Sequence, residues 1–124
     1  MRISVIGTGY VGLVSGVCLA EIGHDCMCVD VDAGKVERIN RGIPPIHESG
    51  LQPLLAKHVG KRLVATTDLR RAVLDSELTF IAVGTPFDGE RIDLTFVREA
   101  ARQIGATLGE KDAYHVVVVK RTVV

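Results

Sequence analysis

Short apolar runs of strand length alternate along the chain with stretches whose apolar residues recur every three or four positions. The first run, Arg2–Ile6, gives way to helix-spaced Val14, Val17, Cys18 and Ile22, and Gly23 stops them. A second run, Cys26–Val29, ends at Asp30; Val36 and Ile39 then mark a short helix with Gly42 as its stop. Pro44, Pro45, Ser49 and Gly50 predict a loop before a short helix over Leu51–His58. Leu63–Ala65 reads as a third strand, and Thr67 or Asp68 as the cap of a helix over Leu69–Leu74. Leu78–Val83 reads as a fourth strand that runs into Gly84-Thr85-Pro86. After a polar, hairpin-like stretch (Phe87–Ile92), Asp93 is placed to cap a long helix carrying Leu94, Val97, Ala101, Ile104 and Leu108 on one face. His115–Val119 is the fifth strand, and its unbroken Val116–Val119 run predicts burial on both faces.

Strand–helix alternation of this kind implies right-handed crossovers. The expected fold is α/β, a Rossmann-type doubly wound parallel sheet in three α/β/α layers. No internal repeat, low-complexity tract or linker divides residues 1–124, so they read as one domain. The chain stops at Val124 just past a strand, where such a fold turns into its next helix, and is read as a truncated domain.

Composition narrows the partners. Of 124 residues 47% are apolar, enough for a sizeable core, and a charged content of 24% argues against disorder. Fifteen basic and fifteen acidic residues cancel, which argues against nucleic acid or an anionic membrane surface as the main partner. No apolar run reaches the roughly 18 residues of a membrane span. Gly7, Gly9 and Gly12 interrupt the only stretch that resembles a signal peptide. An odd cysteine count (Cys18, Cys26 and Cys28) in apolar surroundings suggests a reducing compartment, the cytoplasm.

Gly7-Thr8-Gly9-Tyr10-Val11-Gly12 fits G-x-G-x-x-G, between the first strand and the first helix. Gly7 permits a tight turn, Gly9 lets backbone approach a pyrophosphate, and Gly12 allows close helix packing. Unpaired N–H groups at the helix start then hold phosphate. Asp30, eighteen residues after Gly12 at the end of the second strand, stands where a carboxylate accepts from the adenosine ribose. Val31 and Asp32 follow it rather than an arginine, so a 2′-phosphate would meet two carboxylates and NAD is favoured over NADP. Lys35 either reaches the same ribose, which leaves NADP open, or is a solvated lysine on a helix.

Several segments together resemble the nucleotide-sugar 6-dehydrogenases, the family of UDP-glucose and GDP-mannose dehydrogenases. They are Ile3–Asp32 with Gly-Tyr-Val-Gly-Leu at 9–13, Asn40-Arg41-Gly42, Pro45-Ile46-His47-Glu48, Gly50-Leu51, Val83-Gly84-Thr85-Pro86, Asp93-Leu94 and Val119-Lys120-Arg121-Thr122-Val123-Val124. The resemblance implies NAD-dependent oxidation of a sugar C6 alcohol to a carboxylate in two steps. It implies that Tyr10 and Val11 line the pyrophosphate loop and that Asp30 and Lys35 hold the ribose. Thr85 and Pro86 would lie along the cofactor, and Thr122 near the nicotinamide. It further implies a central helix and a C-terminal substrate and catalytic domain, carrying the catalytic cysteine, lysine and acid, beyond position 124. No catalytic residue is therefore assigned here, and the chain alone is expected to be inactive. UDP-glucose is the favoured substrate, with GDP-mannose or a UDP-N-acetylamino sugar as alternatives and a homodimer or higher homo-oligomer as the expected assembly. A non-catalytic NAD-sensing module is the rival from another class. The chain departs from the family pattern at Arg121, where serine is usual, and at Ser49, where proline is usual.

The remaining polar residues suggest no second site. Cys26 and Cys28 share one strand face and read as buried structural thiols, and Cys18 lies on the apolar face of its helix. Without a second pair or nearby histidine they make no metal set. His24, His47, His58 and His115 show no ligand spacing and are expected at the surface or in loops. His47 and Glu48, being adjacent, point apart. Asp68, Asp75, Glu77 and Glu110 read as caps and solvated positions, while Lys120 and Arg121 either contact phosphate or face solvent.

Overall fold

A computed structural model of the chain describes residues 1–84, 89 and 94–120. The elements in chain order are β1 (Arg2–Ile6), α1 (Tyr10–Glu21), β2 (Asp25–Val29), α2 (Ala33–Asn40), α3 (Leu51–His58), β3 (Leu63–Thr66), α4 (Leu69–Leu74), β4 (Leu78–Ile81), α5 (Thr95–Leu108) and β5 (Val116–Val119). The strands form one parallel sheet in the order β3-β2-β1-β4-β5. Ile3 stands beside Cys26 of β2 on one side and Leu78 of β4 on the other. The chain builds outward from β1 to β3 and then crosses back to β4, so the order reverses at β1. This is the doubly wound arrangement expected from the alternation.

Strand periodicity sorts the core into two layers. Ile3, Val5, Cys26, Cys28, Leu63 and Ala65 pack with α1, α2 and α3. Ile6, Val29 and Ile81, from the opposite face, pack with Ala72 and Val73 of α4 and Ala100 and Ile104 of α5. Both faces are covered, which is why the central strands read as continuous apolar runs rather than alternating ones.

The face of α1 differs from expectation. Gly12, Leu13, Gly16, Val17 and Ala20 are buried, whereas Cys18 is exposed and Ile22 is 72% exposed. The cause is close approach. A β-carbon on Gly16 would lie 2.8 Å from the Cys28 Sγ, so the buried face is the one on which glycines and Ala20 let Leu13 and Val17 come down onto the sheet. The face of α5 is also displaced: Ala100, Ile104 and Thr107 are buried and Ala101 is exposed. The flanking position of α5 is Leu94; Asp93 and the Phe87–Ile92 stretch lie in or across residues outside those described. Asp68, not Thr67, caps α4, accepting from the Arg71 N–H at 3.0 Å.

The Val116–Val119 run is not buried on both faces. β5 is the edge strand, and Val117 and Val119 are 39% and 54% exposed because no described helix covers that margin of the sheet. The opposite margin is closed by a side chain. Asn40 of α2 donates to the Ala65 carbonyl (2.9 Å) and accepts from its N–H (2.8 Å), occupying both backbone groups of that residue, while the Gly60 N–H donates to the Leu63 carbonyl at 2.8 Å.

Two histidines expected at the surface are partners in polar clusters instead. His58 is buried against Glu21 of α1, whose carboxylate also accepts from Lys57 at 3.0 Å. His115 sits in a chain of groups between β4 and the end of α4. Lys111 donates to the Ser76 carbonyl (2.6 Å) and approaches His115 Nδ1 (3.1 Å). An ammonium has only donors, so Nδ1 accepts and the Nε2–H donates to the buried Thr79 hydroxyl at 2.7 Å. Thr79 in turn bonds the Ser4 hydroxyl at 2.6 Å.

Burial first, and the Lys111 charge second, hold the His115 pKa below its ordinary value of 6.5. On acidification the unfolded chain takes up this proton before the folded one does. Stability is therefore expected to fall as pH drops through 6.5 toward the folded-state value. Thermal unfolding midpoints measured between pH 7.5 and 5.5 check this, and His115→Gln should flatten the decline over that range.

Candidate functional site

Order reversal places the carboxyl ends of β1, β2 and β4 side by side, with a cavity of about 590 Å³ above them. Its floor is the turn after β1. Gly7 has φ +106°, a backbone closed to most side chains, and a β-carbon there would lie 2.7 Å from the Ala82 carbonyl oxygen. Its N–H donates to the Val29 carbonyl at 2.7 Å, which ties the turn to the end of β2. Gly9 precedes α1 in extended backbone, with no side chain capping the helix. A β-carbon on Gly9 would meet nothing within 4 Å. The space over the helix start is open, and the dipole of α1 favours an anion there. Gly12 is not a lining residue. A β-carbon on it would sit 1.9 Å from the Gly7 carbonyl oxygen, so its role is to let the turn fold back on the helix.

Asp30 follows β2 and is bound to this turn. Its Oδ2 accepts from the Thr8 N–H (3.1 Å) and the Thr8 hydroxyl (2.6 Å), and its Oδ1 accepts from the Asp32 N–H (2.9 Å). Partial burial pushes the carboxyl up, but the Thr8 hydroxyl, the two N–H donors and the Lys35 charge outweigh it. The net shift is below the ordinary 3.8, so Asp30 is an anion at neutral pH. Asp32 is differently engaged. Its carboxylate caps α2 by accepting from the Gly34 and Lys35 N–H groups (2.9 and 3.2 Å). Of the two carboxylates expected to meet a 2′-phosphate, Asp30 lines the cavity and Asp32 caps its own helix.

Of the residues singled out from sequence, Gly7, Gly9, Tyr10, Val11, Asp30 and Lys35 all line the one cavity. Thr85, Pro86 and Thr122, with Arg121, lie outside the described residues. The structure adds a second wall that the motif does not mark, made by Leu69 of α4, Val83 and Gly84 after β4, and Phe96, Ala100 and Gln103 of α5. Val83 and Gly84 belong to a segment singled out from the sequence, whereas Phe96, Ala100 and Gln103 lie off the apolar stripe read for α5 and carried no signal. Lys120 borders the cavity as well. The turn and Asp30 supply anion and hydroxyl contacts, and the second wall supplies an apolar surface for a flat ring. Together they fit the two ends of an adenosine diphosphate, and the volume lies in the range of cofactor sites.

No described cluster of histidine, cysteine or acidic residues is arranged to hold a metal ion. Cys26 and Cys28 are buried, and their thiols are pushed up to about 11 and about 12 by that burial. Among the described residues no helix is long and apolar enough to cross a membrane.

A parallel sheet with its cavity at the order reversal, a glycine turn on a helix start and an anionic acid after the second strand define a dinucleotide-binding domain of the Rossmann type. Comparison with known proteins gives the family. The chain belongs to the UDP-glucose/GDP-mannose dehydrogenase family, whose NAD binding domain matches residues 1–124, and NAD is its cofactor. It is 51% identical over 127 residues to the UDP-glucose 6-dehydrogenase of Rhizobium meliloti (strain 1021), covering 99% of this chain and 28% of that protein. A solved ternary complex of the GDP-mannose dehydrogenase from Pseudomonas aeruginosa superposes with a TM-score of 0.93 at 45% identity, covering 100% of this chain and 29% of that one. A UDP-glucose dehydrogenase from the archaeon Pyrobaculum islandicum superposes at 0.90 with 41% identity, over 98% of this chain and 28% of that one. The chain therefore spans less than a third of the length of these proteins.

Proposed function

We propose that residues 1–124 are the NAD-binding domain of a longer enzyme that oxidises the C6 alcohol of a nucleotide sugar to a carboxylate. The preferred substrate is UDP-glucose, and the site of action is a homo-oligomer in the cytoplasm. The observation that carries the reading is the fixed Asp30 carboxylate at the lip of a cavity floored by the glycine turn. In it, Gly7, Gly9, Tyr10 and Val11 receive the pyrophosphate over the start of α1, with Gly12 keeping the turn closed. Asp30 and Lys35 hold the adenosine ribose, and Thr85, Pro86 and Thr122 extend the contact toward the nicotinamide. NAD supplies the hydride acceptor; the chain's own residues bind and orient it. The choice of UDP-glucose is supported by the 51% identity to the UDP-glucose 6-dehydrogenase of Rhizobium meliloti, while UDP-glucose and GDP-mannose enzymes overlap at 41–46%.

Titration of the chain with both cofactors tests this. NAD is expected to bind more tightly than NADP, and Asp30→Ala to weaken NAD by about 1.5–3 kcal/mol, the worth of a hydrogen bond to a charged group. NADP binding equal to or better than NAD would sink the assignment. The substrate is tested separately, by reading the frame past Val124 for a second domain with a Gly-Cys segment and assaying that protein with UDP-glucose and GDP-mannose.

A further inference from the structure

Thr8 occupies the first variable position of the glycine motif, a place the motif leaves unspecified. It is 1% exposed, yet its hydroxyl has no need of burial for packing alone, since valine has the same shape. What the hydroxyl does is donate to Asp30 Oδ2 at 2.6 Å, while the Thr8 N–H donates to the same oxygen at 3.1 Å. A carboxylate oxygen offers two good acceptor directions, so Thr8 saturates Oδ2. Among the described residues Oδ1 accepts the Asp32 N–H alone, at 2.9 Å, which leaves it an acceptor direction, and Asp30 lines the cavity.

We propose that Thr8 is a positioning residue for cofactor selection, clamping one oxygen of Asp30 so that the other is presented, charged and in a fixed rotamer, to an adenosine ribose hydroxyl. The proposal deepens the NAD reading above and rests on it. Two consequences separate this role from packing. First, a fixed anionic acceptor favours a neutral diol and repels a phosphate ester, so Thr8 sets the ratio of NAD to NADP affinity and not NAD affinity alone. Second, the hydroxyl is the largest influence holding the Asp30 carboxyl down, so its loss moves the pH at which the acceptor is protonated upward. A packing residue moves neither.

The test compares Thr8→Val, which keeps the shape and removes the donor, with Thr8→Ser, which keeps the donor. Each is checked for folding by circular dichroism and titrated with NAD and NADP from pH 7 down to pH 4.5. Thr8→Val is expected to weaken NAD roughly tenfold, because Asp30 is then no longer held in place to accept from the ribose, while NADP changes little. Its NAD affinity should also begin to fall at higher pH than that of the unaltered chain. Thr8→Ser should restore both the ratio and the pH profile. A folded Thr8→Val chain with the original NAD-to-NADP ratio and the original pH profile overturns the proposal. If the unaltered chain binds neither dinucleotide, it is the cofactor reading that fails and the proposal falls with it. If Thr8→Val weakens both cofactors equally with no change in pH profile, Thr8 is a packing residue and the proposal is wrong.

Discussion

Gly9→Val is expected to give a folded protein that no longer binds NAD, and Gly12→Val, three residues on, a protein that does not fold. The two glycines belong to one motif but meet opposite surroundings. Gly9 has φ −74° and ψ −167°, an extended conformation open to valine, and a β-carbon there meets nothing within 4 Å. Folding therefore tolerates the side chain; the phosphates, which need that same open space over the helix start, do not. Gly12 faces backbone. Its β-carbon would lie 1.9 Å from the Gly7 carbonyl oxygen and 2.9 Å from the carbonyl carbon, and neither is a flexible side-chain end that moves aside cheaply. Prising the turn from the helix would also disturb Gly7, whose φ of +106° few other residues adopt. A cost on the order of 4 kcal/mol or more is large against the 5–15 kcal/mol of a typical domain. Circular dichroism melts and NAD titration of both variants check the pair. A folded Gly9→Val chain that binds NAD normally would falsify the placement of the pyrophosphate.

The contrast also shows which kind of information the sequence carried. The strands were legible because a parallel sheet buried on both faces forces unbroken apolar runs, and Arg2–Ile6 falls where its run puts it, whereas the run Leu78–Val83 outlasts its strand, which ends at Ile81. The faces of α1 and α5 were not. Periodicity counts large apolar residues, whereas α1 approaches β2 so closely that Gly16 is buried and Cys18 left outside. The burial expected of β5 failed for a related reason. Composition records what a strand tolerates, not what lies over it, and Val119 is exposed at a sheet edge. At the site, Gly7, Gly9 and Asp30 were legible because backbone geometry and ribose chemistry admit few residue types there. Thr8 was not, since many residues fit its position and only the three-dimensional meeting with Asp30 gives its hydroxyl a task. The engagement of Asp32 as a helix cap was equally hidden: an acid two residues after Asp30 reads the same whether it faces the cofactor or its own helix.

The chain of 124 residues is expected to bind NAD and to form no NADH with any nucleotide sugar. Two-step oxidation of an alcohol to an acid needs a group that holds the intermediate aldehyde, and in the function proposed above that task falls to a thiol outside residues 1–124. A thiol serves only as thiolate, so it must be reachable and activated by a base or a positive environment. Cys26 and Cys28 fail on both counts. They lie inside the sheet–helix layer, away from the cavity, and burial pushes their thiols up to about 11 and about 12. Cys18 is reachable, but it sits two turns along α1 from the glycine loop and does not line the cavity. Two histidines are committed elsewhere, His58 to Glu21 and His115 to Thr79 and Lys111, and none of the four lines the cavity. The assay is absorbance in the NADH band with UDP-glucose and with GDP-mannose, after titration has shown NAD bound. Cys18→Ser, Cys26→Ser and Cys28→Ser serve as controls, and none should alter the background. Turnover by the chain that disappears with one of these three substitutions would place the reacting thiol inside residues 1–124 and overturn the separation of cofactor binding from chemistry.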